Sequence, residues 1–323
     1  MADRPRVVVA RTLPRAGLDL LEERFEVDTG DLRVDMDELR RRVAGAAALV
    51  ADPTVPVDGP LLDAAGESLR IVANFAVGYD NIDLEAFRER GVTFTNTPDV
   101  LTNATAELAL ALMMAAARRL GEAERMLRAG DWRGWDPDQL LGRELSECRI
   151  GIVGLGRIGE RLAELLSGFG AQLGYWSRTR RPDAEERLGL EYLELDDLLG
   201  RSDVVTLHVA LTDETRHMID AASLKRFKPG AILVNAARGG LVDSAALAQA
   251  LREGRLAAVG LDVFENEPKV PQELLELENA VLVPHIGSAT ATARNAMAEL
   301  AARNVVAVLS GEQPLTPVVR GTR

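Results

Sequence analysis

Residues 151–160 read GIVGLGRIGE, and the fold of the chain turns on whether these glycines form a phosphate-binding turn. The preceding RIGIVG (149–154) is apolar and β-branched, and the following RIGERLAELLSGFG (157–170) has helical periodicity. The glycines therefore fall at a strand-to-helix junction. There Gly154 permits a tight turn, Gly156 lets the backbone approach a pyrophosphate, and Gly159 lets the helix pack closely on the strand. The helix N-terminus offers its unbonded N–H groups to the phosphates. A glycine run that serves helix packing alone is the competing reading.

Outward from this loop the chain keeps one rhythm. From Cys148 onward RIGIVG, AQLGYW, DVVTLH, AILVN, AAVGLD and AVLVPH read as strands separated by helical segments, the number that two mononucleotide-binding halves require. Upstream, RVVVA, FEVDT, AALVA, RIVANF and VTFTN alternate with the helical patterns GLDLLEERF, MDELRRRVA and LEAFRER. Both stretches imply α/β architecture with parallel sheets covered on both faces. Between them a helix from about Asn103 to Arg119, opened by Thr102 or Asn103, is apolar around most of its circumference. Such a helix must be buried on several sides, either in the core or against a second copy of the chain. A final helix, Ala291 to Leu309, is expected to return to the first domain. The expected organisation is a substrate domain of residues 1–98 and 289–323 with a nucleotide domain, 99–288, inserted into it.

Composition narrows the partners. A chain of 323 residues with 47% hydrophobic residues can fill two cores. Its net charge of −12 repels nucleic acid and anionic membranes, so any anion must be bound locally. The single cysteine, Cys148, excludes an internal disulfide and a zinc cluster of cysteines. The start, MADRPRVVVA, lacks the apolar core of a signal peptide, and the longest apolar run, AELALALMMAAA (106–117), is too short to span a bilayer. A cytoplasmic location is the expectation.

An Asp or Glu about 20 residues beyond the glycines would grip the ribose of NAD. Here the second strand instead ends in YWSRTRR, with Ser177, Arg178, Thr179, Arg180 and Arg181 standing 23 to 27 positions past Gly154. A hydroxyl beside guanidiniums suits a 2′-phosphate, which favours NADP(H) over NAD(H). A solvated basic loop is the alternative.

Ligands of open parallel sheets lie beyond the carboxyl ends of the strands. Three such ends carry ionisable groups: Arg238 after AILVN, Glu267 after AAVGLD, and His285 after AVLVP. Reduction of a 2-keto acid by a nicotinamide needs a cation for the carboxylate, a proton donor for the nascent alkoxide, and a group to tune that donor. Arg238 can hold the carboxylate in a two-pronged contact. An imidazole, with an ordinary pKa of about 6.5, can exchange the proton, and Glu267 can fix its tautomer. Singly, each has a structural alternative: a helix cap for Arg238, surface charge for Glu265 and Glu267, a packed residue for His285.

VGLGRIG, NAARGGLVD, GLDVFENEP and LVPHIGSAT resemble the D-isomer-specific 2-hydroxyacid dehydrogenases, and NFAVGYDNID with NTPDVLTNATAE resembles their glyoxylate and hydroxypyruvate reductase branch. The likeness runs in order along essentially the whole chain. It implies a Rossmann domain inserted into a flavodoxin-like one, with Arg238, Glu267 and His285 as the catalytic set and His285 as acid/base. It further implies that Asp262 holds the nicotinamide carboxamide, while the backbone at Val77 and Gly78 meets the substrate carboxylate. Thr105, Leu155, Gly156, Arg157, Ile158, Val209, Ala210, Leu211, Ala236, Ala237 and Gly287 would line the dinucleotide.

Members of the family are usually dimers joined through the central helix and the following arm, here about residues 100–145. Four departures narrow the implication. Ser177 stands where many NAD-using members have an acid. Glu267 stands where formate dehydrogenases have Gln, and the extra C-terminal regulatory domain that phosphoglycerate dehydrogenases often carry is not expected here. Gln139 stands where some hydroxypyruvate reductases place a Trp, while Trp132 and Trp135 read as packing anchors of the arm. Other D-2-hydroxy acids, such as D-lactate or a phosphonate-type substrate, and a dinucleotide-sensing co-repressor are the alternatives.

Overall fold

A computed structural model describes residues 4–322. β1 (Arg6–Val9), β2 (Glu26–Thr29), β3 (Ala48–Ala51), β4 (Ile71–Asn74) and β5 (Thr93–Thr95) occupy the first part of the chain. β6 (Arg149–Val153), β7 (Gln172–Trp176), β8 (Glu191–Tyr192) and β9 (Val204–Leu207) follow. β10 (Ala231–Asn235), β11 (Leu256–Leu261), β12 (Ala280–Leu282) and β13 (Pro317–Val319) complete the strands. The chain divides into two compact units: one runs to Leu101 and resumes at Ser288, and the other spans Thr102–Gly287.

In the first unit the strand order is β13-β5-β4-β3-β1-β2. Without β13 this is the flavodoxin-like order, with every neighbour parallel. β3 (ALVA) and β4 (IVAN) are buried along their whole length, as strands covered on both faces must be. The helix Ala291–Leu309 packs on β3, β4 and the helix Arg15–Glu22. β13, which runs antiparallel to β5, has no counterpart in the sequence reading. It is a three-residue edge strand and begins with proline, a residue that suits an edge or a strand's first position.

In the second unit the order is β12-β11-β10-β9-β6-β7-β8, parallel throughout. The direction of winding reverses between β6 and β9, the position at which such sheets bind ligands. The sheet has seven strands rather than the six expected. The additional strand, β8, is two residues of mixed polarity and gives no periodic signal. The helix Thr102–Ala117 buries Ala106, Ala109, Leu112, Met113 and Ala116, packing over β10, β11 and the helix Arg157–Leu166. It ends short of the expected Arg119, which takes a left-handed φ of 52° before a separate helix, Leu120–Ala129. Among the described residues no helix is long and apolar enough to cross a membrane.

Candidate dinucleotide and catalytic site

The three glycines after β6 stand in three different surroundings. Gly154 has φ +99°, and a Cβ there would stand 2.7 Å from His208 O. A Cβ at Gly159 would stand 2.2 Å from Gly154 O, so the helix Arg157–Leu166 can lie against the turn only if that side chain is absent. At Gly156, by contrast, a Cβ would meet nothing within 4 Å. Gly156 is also the N-cap of the helix, and no side chain caps its amides. Open space in front of uncapped helix amides is what a phosphate requires. Leu155 is buried and Ile158 half-buried beside the turn.

Beyond β7 the arginines do not all face the same task. Arg180 is bound two-pronged to Glu185, with Nε–Oε1 at 2.8 Å and Nη2–Oε2 at 2.7 Å. This pair, with the hydroxyl of Tyr175 2.7 Å from Oε1, holds the Glu185 carboxyl down to about 2. Arg181 pairs with Glu160 and Asp183 at 3.1 Å. Arg178 is exposed, and its charge reaches Glu214, whose carboxyl lies below its ordinary value chiefly through the Thr212 hydroxyl. Ser177 Oγ donates to Thr179 O at 2.5 Å. Across β9, Val209 and Leu211 are half-buried, while Ala210 is exposed with its carbonyl bound by Thr215 Oγ1 at 2.7 Å.

The ends of β10, β11 and β12 bring Arg238, Glu267 and His285 together. His285 Nδ1 lies 2.6 Å from Glu267 Oε2, and Phe264 N donates to Glu267 Oε1 at 3.0 Å. Burial pushes the Glu267 carboxyl up. The hydrogen bonds from His285 and Phe264 and the charges of His285 and Arg238 outweigh burial, so the carboxyl lies below its ordinary value. His285 sits at φ +53°, a left-handed conformation uncommon for any residue but glycine. Its N–H donates to Asp262 O at 2.9 Å. The loop carrying Arg238 nests against the one carrying Glu267: a Cβ at Gly239 would stand 1.9 Å from the carbonyl carbon of Phe264. Asn235 fixes the same loop, its Nδ2 donating to Arg238 O and its Oδ1 accepting from Ala237 N.

Asp262 is buried, and both its oxygens accept backbone N–H groups, from Ile286 at 2.6 Å and Gly287 at 2.8 Å. Burial raises its carboxyl, and these bonds with the His285 charge only partly offset that. Thr105 borders Asp262 and Gly287, since a Cβ at Gly287 would lie 3.1 Å from Asp262 Oδ2 and 3.6 Å from Thr105 Oγ1. Val77 and Gly78 belong to the first unit, in the loop after β4.

Glu265 and His217 form a second acid–imidazole pair that sequence reasoning passed over. His217 Nε2 lies 2.6 Å from Glu265 Oε1, and Ser244 N donates to Glu265 Oε2 at 3.1 Å. Glu265 thereby pins the loop that carries Glu267 to the N-terminus of the helix Ser244–Arg252. The only signal for this was the repeated acid in FENEP. Away from this edge, Met114, Leu120, Leu127, Trp132, Trp135 and Leu141 are exposed on the helix ends and arm, Trp135 at 84%. A cavity of about 450 Å³ opens beside Leu141 and Arg119, at the amino ends of β10 and β11 and so remote from His285.

Comparison with known proteins gives this geometry a context. Residues 110–287 match the family described as D-isomer specific 2-hydroxyacid dehydrogenase, NAD binding domain. The chain is 50% identical over 323 residues to the glyoxylate reductase of Thermococcus onnurineus, with 98% of this chain and 96% of that one covered. A crystal structure of a protein from Thermus thermophilus superposes with a TM-score of 0.92 at 46% identity, covering 97% of this chain and 100% of that one. An NADPH-dependent glyoxylate/hydroxypyruvate reductase from Sinorhizobium meliloti, crystallised with NADP and malonate, superposes with a TM-score of 0.89 at 38% identity over 99% of both chains.

Proposed function

The chain belongs to the D-isomer specific 2-hydroxyacid dehydrogenase family, and on that premise we propose that it reduces glyoxylate first and hydroxypyruvate second, with NADPH in preference to NADH. The observation that carries this reading is the contact of His285 Nδ1 with Glu267 Oε2, with the Arg238 charge acting on the same carboxylate. The glycine turn, the uncapped helix and the open face at Gly156 fit a bound dinucleotide, which supplies the hydride. Arg238 holds the substrate carboxylate and polarises the neighbouring carbonyl. Glu267 keeps the His285 proton at Nδ1 and stabilises the imidazolium. His285 Nε2 then gives its proton to the alkoxide oxygen and takes one back in the reverse direction. The backbone N–H groups of Val77 and Gly78 are further donors for the substrate carboxylate. Thr105, Asp262 and Gly287 order the nicotinamide end, and Val209 to Leu211 the adenosine end.

Cofactor choice rests on Ser177 and Arg178. Arg180 and Arg181 are committed to carboxylates, so a single guanidinium is left to select the 2′-phosphate. NAD(H) therefore remains usable in this reading. The exposed apolar residues from Met114 to Leu141 form the face on which a second copy docks, making the enzyme a homodimer.

The test is a panel of glyoxylate, hydroxypyruvate and pyruvate, each assayed for nicotinamide oxidation with NADPH and with NADH, alongside sedimentation analysis. The highest kcat/KM is expected for glyoxylate with NADPH, from a dimer. Tight NADPH binding without turnover of any keto acid would overturn the assignment in favour of a dinucleotide-sensing binding protein.

A further inference from the structure

Within the first unit, three successive carbonyls after β4 are drawn inward by separate donors. Thr97 N donates to Ala76 O at 2.9 Å, Asn96 Nδ2 to Val77 O at 2.8 Å, and Asn74 Nδ2 to Gly78 O at 2.9 Å. Across a trans peptide the C=O and the following N–H point in opposite directions. Three carbonyls turned into the unit therefore turn the N–H groups of Val77, Gly78 and Tyr79 away from it. Consecutive amides turned the same way are donors that an anion can accept from.

The donors are themselves braced. Thr316 Oγ1 donates to Asn96 O at 2.6 Å and accepts from Asn304 Nδ2 at 2.9 Å, while Asn304 Oδ1 accepts from Thr316 N at 3.1 Å. Asn304 is fully buried on the helix Ala291–Leu309, so the chain of bonds runs from the C-terminal helix to the loop. Asn74 is also fully buried, and its Oδ1 takes no hydrogen bond from the described residues. Burying an amide with an unpaired oxygen is costly, and the position is explained if its nitrogen is needed at Gly78 O.

We propose that Asn74 and Asn96, with Thr316 behind them, are positioning residues that aim the Val77–Gly78 amides at the substrate carboxylate. The proposal rests on the reading of those amides as carboxylate donors. It deepens that reading by assigning the aim to side chains that never touch substrate.

The test is steady-state kinetics of the full chain with glyoxylate and NADPH, with NADPH affinity measured separately by fluorescence. Asn96→Ala is expected to raise the glyoxylate KM about tenfold, the loss of one well-made hydrogen bond, without a matching change in NADPH affinity. Thr316→Val should raise it less, and Thr316→Ser, which keeps the hydroxyl, should restore it. Asn74→Ala should act like Asn96→Ala; if that variant does not fold, the Asn96 and Thr316 variants decide. Val77→Pro, which deletes one of the amide donors, separates the two levels. An elevated KM in Val77→Pro with unchanged values in Asn96→Ala and Thr316→Val would overturn the positioning role alone. Unchanged values in all of them would overturn the carboxylate reading as well. A parallel loss of NADPH affinity in Asn96→Ala would reduce the clamp to general stability.

Discussion

His285 Nδ1 and Glu267 Oε2 approach to 2.6 Å from the ends of two different strands, and this contact decides which ring nitrogen is left for chemistry. With Nδ1 held by the carboxylate, Nε2 is the nitrogen left to exchange a proton with substrate in the proposed reaction. Removing His285 takes away the proposed acid/base group but no part of the glycine turn. His285→Ala is expected to lower kcat by about a thousandfold while NADPH affinity, read by fluorescence titration, stays near wild type. Near-normal turnover at neutral pH in that variant would show the assignment to be wrong. Glu267→Gln keeps the size of the side chain but not its charge, and its kcat should fall between the two.

Cofactor choice separates two arginines that are neighbours in sequence. In the proposed reading Arg178 carries the selectivity, whereas Arg180 is locked to Glu185 by two hydrogen bonds. Arg178→Ala should raise the KM for NADPH about tenfold and leave that for NADH little changed. Arg180→Ala should leave the ratio of the two nearly as it was. Equal losses for both cofactors in Arg178→Ala would reduce that side chain to surface charge.

Gly156 and Gly159 make opposite demands on an added methyl group. Gly156 has φ −83°, which alanine adopts freely, and empty space in front of it. Gly156→Ala should therefore fold with nearly unchanged Tm yet bind NADPH at least about tenfold more weakly, because the methyl fills the space a phosphate would take. Gly159→Ala drives a Cβ into the Gly154 carbonyl at 2.2 Å, and overpacking of this kind costs about 1–3 kcal/mol of stability. Matching Tm losses in the two variants would count against the phosphate site.

Much of this architecture can be read from the chain because its strands are short, β-branched and buried. ALVA, IVAN and AILVN each mark a strand buried along its whole length. The helix Ala291–Leu309 has the bounds its periodicity predicts. The features that escape are those without periodicity. β8 is two residues long, β13 is an edge strand starting in proline, and the break at Arg119 rests on a left-handed residue inside an apolar run. At the candidate site, residue type and place beyond a strand single out Arg238, Glu267 and His285. Ion pairing is different, because it depends on rotamers. YWSRTRR does not reveal that Arg180 turns to Glu185 and Arg181 to Glu160, nor does FENEP reveal that Glu265 reaches His217.

The Arg180–Glu185 pair also sets a pH dependence of stability. The Glu185 carboxyl lies at about 2, below its ordinary 4.5, first through the two-pronged bond to Arg180 and then through the Tyr175 hydroxyl. A carboxyl depressed in the folded state binds its proton more tightly once the chain unfolds. Its contribution is therefore complete above the ordinary value and is lost progressively as pH falls toward the folded value. Glu185→Gln keeps the shape of the side chain but cannot ionise, so it lacks the contribution at every pH. Thermal unfolding of the two proteins should show wild type ahead at about pH 7, with the gap narrowing below about pH 4.5 as the wild-type contribution disappears. A gap of constant width down to about pH 3 would mean that the stabilisation comes from the shape of the side chain and its neutral hydrogen bonds, not from the charge on Glu185.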